Sequence, residues 1–210
     1  MSENDHGFVH RFLPGESGAT LLLLHGTGGD ENDLVPLGQE LAPGAAILSP
    51  RGKVSEYGAA RFFRRLAEGV FDHEDLVFRT HELAEFIEAA AKEYGFDPSK
   101  LVAVGYSNGA NIAASLMFLH PELLRAAVLF RAMVPFEPEK MPDLSGMPIF
   151  LAAGRMDRMI PPQSTERLAE ILREAGAELG LRWRSTGHAL THEEVAEAKE
   201  WLSGVLQELT

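Results

Sequence analysis

Five short stretches, TLLLLHG (20–26), AAILSP (45–50), KLVAVGYS (100–107), RAAVLF (125–130) and MPIFLAAG (147–154), are apolar on successive residues rather than alternate ones. Neighbouring residues of a strand point to opposite faces, so these runs need apolar cover on both sides. That cover exists where helices pack on both faces of a parallel sheet. FVHRFL (8–13) and LGLRWRS (179–185) alternate more and predict strands nearer the sheet edges.

Helical periodicity fills the gaps. Leu83, Phe86, Ile87, Ala90 and Tyr94 share one face and stop near Gly95. Leu168, Ile171, Leu172 and Ala175 form a second stripe, entered through Pro161-Pro162 and closed by Gly176. The last stripe is Val195, Ala198, Leu202, Val205 and Leu209, with Thr191 and Glu194 spaced as a capping box. ANIAASLMFL (110–119) is apolar almost all round, which predicts a helix under the middle of the sheet. Alternating strands and helices imply a doubly wound, mostly parallel sheet of about seven strands. With no internal repeat and no linker, residues 1–210 are expected to form a single α/β domain. The 51–76 segment fits neither pattern; it reads as a long irregular loop, a kind that is uncommon and often functional.

Composition removes several classes of function. The net charge of −12 argues against nucleic-acid partners and anionic membrane surfaces, both of which reward basic patches. With no cysteine, there is no thiol nucleophile, disulfide or Cys-based zinc site. No cluster has metal-ligand spacing, so no metal is expected. MSENDHGFVHRF lacks a basic region followed by an apolar stretch, so no secretory signal is expected there, and the longest apolar runs are about half a membrane span. A cytoplasmic location is the expectation.

The chemistry centres on GYSNG (105–109), a Gly-x-Ser-x-Gly at a predicted strand-to-helix junction. That pattern is a nucleophile elbow, in which Ser107 sits on a strained turn above the carboxyl edge of the sheet. A serine needs a base and the base an orienting acid, which in this architecture follow in the order Ser, Asp or Glu, His. Asp157 follows the strand MPIFLAAG, whereas Asp143 precedes it and belongs to the opposite edge. His188 lies in a loop between the last strand and last helix; His120 sits before a proline at a helix end. His192 falls in the first turn of the final helix and is the fallback base. LHGTGGDENDL (24–34) follows the first buried strand and can supply glycine-enabled amides for an oxyanion hole, from Thr27 together with Asn108. His25 is upstream of the serine and is expected to hold that loop by hydrogen bonds.

These motifs, with SPRG (49–52), GRMDRMIP and GHALTHEE, resemble the α/β-hydrolase superfamily over nearly the whole chain. Within it, the chain is most similar to the bacterial carboxylesterase/phospholipase family related to acyl-protein thioesterases. The resemblance implies an α/β-hydrolase fold and a serine carboxylesterase that cleaves small esters without a cofactor. It implies Ser107, Asp157 and His188 as triad, Thr27 and Asn108 as oxyanion donors, and a homodimer as a plausible assembly. Dienelactone hydrolases share much of the pattern but use cysteine, which this chain lacks. No insertion large enough for a lipase-type cap separates the strand near 125–130 from that near 147–154. Alternatives are an acyl-protein thioesterase, a lysophospholipase, or a non-catalytic binding protein of the same fold.

Phe62, Phe63 and Phe71 of the 51–76 segment are candidates for walling a short acyl cleft, with one or two of them core. Arg51, Arg61, Arg64 and Arg65 either attract an anionic substrate or pair with nearby acids.

Overall fold

The computed structural model describes residues 7–208; Leu209, the last residue of the C-terminal stripe, lies outside them. In chain order the first elements are β1 (His10–Leu13), β2 (Thr20–Leu24), α1 (Val35–Leu41) and β3 (Ala46–Pro50). Four short strands follow, β4 (Val54–Glu56), β5 (Ala59–Arg61), β6 (Arg65–Ala67) and β7 (Val70–Phe71), then α2 (His73–Tyr94). The second half contains β8 (Leu101–Tyr106), α3 (Asn108–Leu119), β9 (Ala126–Phe130) and β10 (Pro148–Gly154). It ends with α4 (Pro162–Glu174), β11 (Glu178–Arg184) and α5 (His192–Gln207).

Seven strands form one sheet in the order β1-β3-β2-β8-β9-β10-β11. Only β1 runs antiparallel to its neighbour; the remaining pairs are parallel. The two strands with alternating patterns, β1 and β11, are its edges. The doubly apolar strands distribute their residues between two cores. Leu22, Leu24, Leu101, Ala103, Ile149 and Leu151 face one core with residues of α2, α3 and α4. Leu21, Leu23, Val102, Val104, Phe150 and Ala152 face the other with residues of α1 and α5. The protein is thus an α/β-hydrolase fold, and no large cap interrupts the chain between β9 and β10.

Helix ends follow local chemistry. The Asp72 side chain accepts from Asp75 N–H at the start of α2, and Gly95 closes that helix at φ 70°. Thr191 and Glu194 cap α5 reciprocally. Asn108 through Phe118 are all buried, as the apolar circumference of α3 requires. Among the described residues no helix is long and apolar enough to cross a membrane.

The 51–76 segment is not an irregular loop. It contains two antiparallel hairpins, β4–β5 and β6–β7, and α2 begins at His73. Glu56 pairs with Ala59 across a two-residue turn in which Tyr57 (φ 51°) and Gly58 (φ 87°) are both left-handed. Such turns suit strand twist but favour Asn-Gly or Asp-Gly, so Tyr-Gly carries little signal.

Candidate active site

Strand β8 delivers the chain to Ser107, which has φ 53° and ψ −113°. A non-glycine residue held in such a sparsely populated region costs of order 1–3 kcal/mol, so its surroundings must enforce it. They do so from both sides: Ser107 N–H donates to Phe130 O at 2.9 Å, and Ser107 O accepts from Asn111 N–H at 3.0 Å. The flanking glycines allow the turn to close. A Cβ on Gly109 would lie 1.9 Å from Leu24 O, and one on Gly105 would lie 2.6 Å from Ala110 Cα.

Ser107 Oγ stands 3.0 Å from His188 Nε2, and His188 Nδ1 is 2.7 Å from Asp157 Oδ2. The carboxylate accepts at Nδ1, which places the imidazole proton there and leaves Nε2 facing the hydroxyl. Asp157 Oδ1 accepts from the amides of Met159 (2.8 Å) and Ile160 (3.2 Å), so the loop after β10 holds the carboxylate in place. The Asp157 side chain is 1% exposed and that of His188 19%. Fixed and buried at one end, open to the cleft at the other, this line can move a proton away from Ser107.

The other candidates lie elsewhere. His120 bonds to His81 at 2.8 Å. Asp143 accepts from Ser145 in the loop that precedes β10. His192 borders a shallow depression between α1 and α5 with Asp33 and Glu193, apart from Ser107.

Opposite the serine lies the 25–29 loop. Thr27 borders the same cleft as Ser107, and Asn108 contributes the first N–H of α3, which no intrahelical carbonyl can reach. The β4–β5 hairpin braces both. Arg61 Nη1 donates to Thr27 Oγ1 at 2.6 Å, Gly28 N–H to Ala60 O at 2.9 Å, and Phe62 N–H to Asn108 Oδ1 at 2.8 Å.

His25 anchors the loop from beneath. Its Nε2 accepts from Gly52 N–H at 2.9 Å, so Nδ1 carries the proton donated to Gly26 O at 2.6 Å. Burial holds this imidazole below its ordinary pKa of 6.5, against the opposing hydrogen bond to Gly26 and nearby acids. The unfolded chain therefore takes up a proton as pH falls through about 6.5 while the folded one does not, and stability falls with it. The urea midpoint should drop between neutral pH and about pH 5, and His25→Gln should flatten that drop. An identical pH slope in the variant would show that His25 does not contribute.

The cleft bordered by Thr27, Ser107 and Asn108 is small, about 40 Å³. Phe71, Met133, Met159 and Ile160 supply its apolar wall. Phe62 and Phe63 do not: they are 2% and 0% exposed and belong to the core shared with α2 and α3. Phe62 packs on the His25 ring at 4.7 Å, and Phe63 meets Phe71 edge-on at 4.9 Å. The hairpins turn these two rings inward, and residues from the loops after β9 and β10 take their place. Met133, Met159 and Ile160 lie in loops without periodicity, so nothing in the local sequence marks them. The arginines are paired with acids: Arg51 with Glu31, Arg61 and Arg65 with Glu56, and Arg64 with Asp72.

Residues 64–202 match the dienelactone hydrolase family. The chain belongs to that family. It is 47% identical over 192 residues to MhqD of Bacillus subtilis (strain 168), covering 91% of this chain and 96% of that protein. Among solved structures, the Bacillus cereus carboxylesterase superposes with a TM-score of 0.93 at 48% identity, covering 95% of each chain. A carboxylesterase from Mesorhizobium loti gives a TM-score of 0.90 at 35% identity, covering 95% of this chain and 96% of its own. Within the dienelactone hydrolase family, then, this is a hydrolase that contains no cysteine and has Ser107 at the turn between β8 and α3.

Proposed function

We propose that the protein is a serine carboxylesterase acting on small esters. The observation that carries this reading is the continuous hydrogen-bonded line from Ser107 through His188 to Asp157, opening onto a cleft beside Thr27 and Asn108. Ser107 Oγ attacks the ester carbonyl as His188 Nε2 takes its proton, and Asp157 stabilises the imidazolium. The amides of Thr27 and Asn108 meet the oxyanion; one such donor is worth about 10² to 10³ in turnover in a comparable site. The intermediate collapses to an acyl-enzyme as His188 protonates the departing alcohol. Water, deprotonated by His188, then attacks the acyl carbon, and the proton returns to Ser107 as the acid leaves. The similarity to two bacterial carboxylesterases supports the same reading.

Cleft size supports a short acyl group over a fatty chain, which disfavours lysophospholipid or protein-bound palmitoyl substrates. Each methylene that becomes buried contributes about 0.8 kcal/mol, close to fourfold in kcat/KM. Specificity should therefore climb from p-nitrophenyl acetate over the first few carbons and then level off once the apolar contact offered by Phe71, Met133 and Ile160 is used up. Laurate and palmitate esters, assayed below their micelle-forming concentrations, should be poorer substrates than butyrate or hexanoate. A steady rise out to the long chains would favour the thioesterase or lysophospholipase assignment instead. No hydrolysis of any ester by folded protein would favour a binding protein.

A further inference from the structure

The loop that carries His188 has no regular structure of its own, yet three consecutive carbonyls in it are held. Gly187 O accepts from Arg131 Nε at 3.0 Å, His188 O from the Tyr106 hydroxyl at 3.1 Å, and Ala189 O from Arg131 Nη2 at 2.9 Å. Arg131 Nη2 also reaches Thr186 Oγ1 at 3.2 Å. The far side of the guanidinium is fixed by Glu194, whose two oxygens accept from Nη1 at 2.7 Å and Nη2 at 2.8 Å.

Both members of this ion pair are inside the protein, with side chains 0% and 1% exposed. Burial pushes the Glu194 carboxyl up, but hydrogen bonds from Arg131 and Thr191 outweigh it and leave the carboxyl below its ordinary range. Glu194 belongs to the capping box of α5, so the pair ties the end of β9 to the start of that helix, with the His188 loop between them. Arg131 itself has φ 57°, so it shares a positive φ with Ser107 one strand away. Its N–H donates to Ala152 O at 2.9 Å, which locks the side chain's point of departure. Tyr106, immediately before the serine, carries its hydroxyl as a donor; burial holds its pKa above the ordinary value of 10.0.

We propose that Arg131 and Tyr106 are positioning residues that set the height and orientation of His188 over Ser107, with Glu194 orienting the arginine. This rests on the esterase reading above. The geometry is specific to a planar fork: one guanidinium spans the carbonyls on either side of His188, which a lysine ammonium cannot do. Ser107 and Tyr106 are adjacent on one strand end, so the Tyr106 bond ties the base to the element that carries the nucleophile. A displacement of His188 by a fraction of an ångström would lengthen the 3.0 Å contact to Ser107 Oγ without touching the substrate cleft.

The test compares wild type, Arg131→Lys and Tyr106→Phe. Lysine keeps the charge opposite Glu194 but loses the fork; phenylalanine keeps the ring packed 5.3 Å from the His188 ring and loses only the hydroxyl. Active sites are counted with a fluorophosphonate probe, and kcat and KM for p-nitrophenyl acetate are expressed per titrated site. Both variants should titrate fully and show unchanged KM, with kcat and the rate of fluorophosphonate labelling reduced between about tenfold and 10²-fold. A purely structural role predicts a smaller titratable fraction in which every surviving site turns over at the wild-type rate, and that result overturns the inference. Should Arg131→Lys fail to fold, Tyr106→Phe decides the matter by the same readout. Wild type that reacts with ester and probe, alongside variants equal to it, sinks the positioning role alone. Wild type inert to both sinks the esterase reading and this inference together.

Discussion

Ser107→Ala should leave a folded protein that hydrolyses p-nitrophenyl esters about 10⁶-fold more slowly than wild type, the loss seen when another serine hydrolase gives up its nucleophile. The substitution removes one oxygen. Alanine has the same backbone restrictions as serine at φ 53°, and the two backbone hydrogen bonds that enforce the turn, to Phe130 and from Asn111, do not involve the side chain. Stability should therefore change little, while the Oγ that stands 3.0 Å from His188 Nε2 is gone. The measurement is turnover by purified variant, with a thermal melt to show that it is folded, and fluorophosphonate labelling as a second readout. Residual activity above roughly one part in 10³ of wild type would exceed what an oxyanion hole and binding alone supply, and would place the nucleophile elsewhere.

The second large effect separates two histidines only four positions apart. His188→Ala should cost about as much as loss of the serine, since nucleophile and base act as a unit and their effects do not add. His192→Ala should turn over esters close to the wild-type rate. His188 reaches Ser107 with one ring nitrogen and Asp157 with the other, whereas His192 opens α5 on a surface depression beside Glu193. Comparable losses in both variants, or the reverse ranking, would refute the assignment of the base. The double variant Ser107→Ala/His188→Ala should be no slower than either single one; a further drop would mean that His188 acts on something other than Ser107.

Much of this architecture could be read from the amino-acid order because it rests on local physics. A strand buried on both faces must be apolar at every position, and the division of Leu21 and Leu23 from Leu22 and Leu24 between two cores is the geometric consequence. The alternating patterns of β1 and β11 follow from lying at the sheet edges. The elbow is legible for a similar reason: the backbone approaches Leu24 O and Ala110 so closely at two positions that only glycine fits, which leaves a Gly-x-Ser-x-Gly in the sequence. Ser107, Asp157 and His188 could be nominated because each follows a recognisable strand on the carboxyl side of one sheet.

What the one-dimensional pattern could not decide depends on contacts between segments far apart in the chain. Whether Phe62 and Phe63 face a cleft or a core turns on how two hairpins fold back, and one of their turns places Tyr57 at a positive φ that its side chain does not advertise. Met133, Met159 and Ile160 become a wall only when the loops after β9 and β10 meet above Ser107. Arg131 reads as an ordinary charged residue after a strand. Its meaning comes from Glu194, 63 residues away, and from the carbonyls that flank His188. The sequence alone determined the α/β architecture and the elbow, because burial on two faces and close backbone approach act on neighbouring residues. Only the tertiary structure decided what lines the cleft and what the loop around His188 is bonded to, because hydrogen bonds between loops depend on distances that no local pattern encodes.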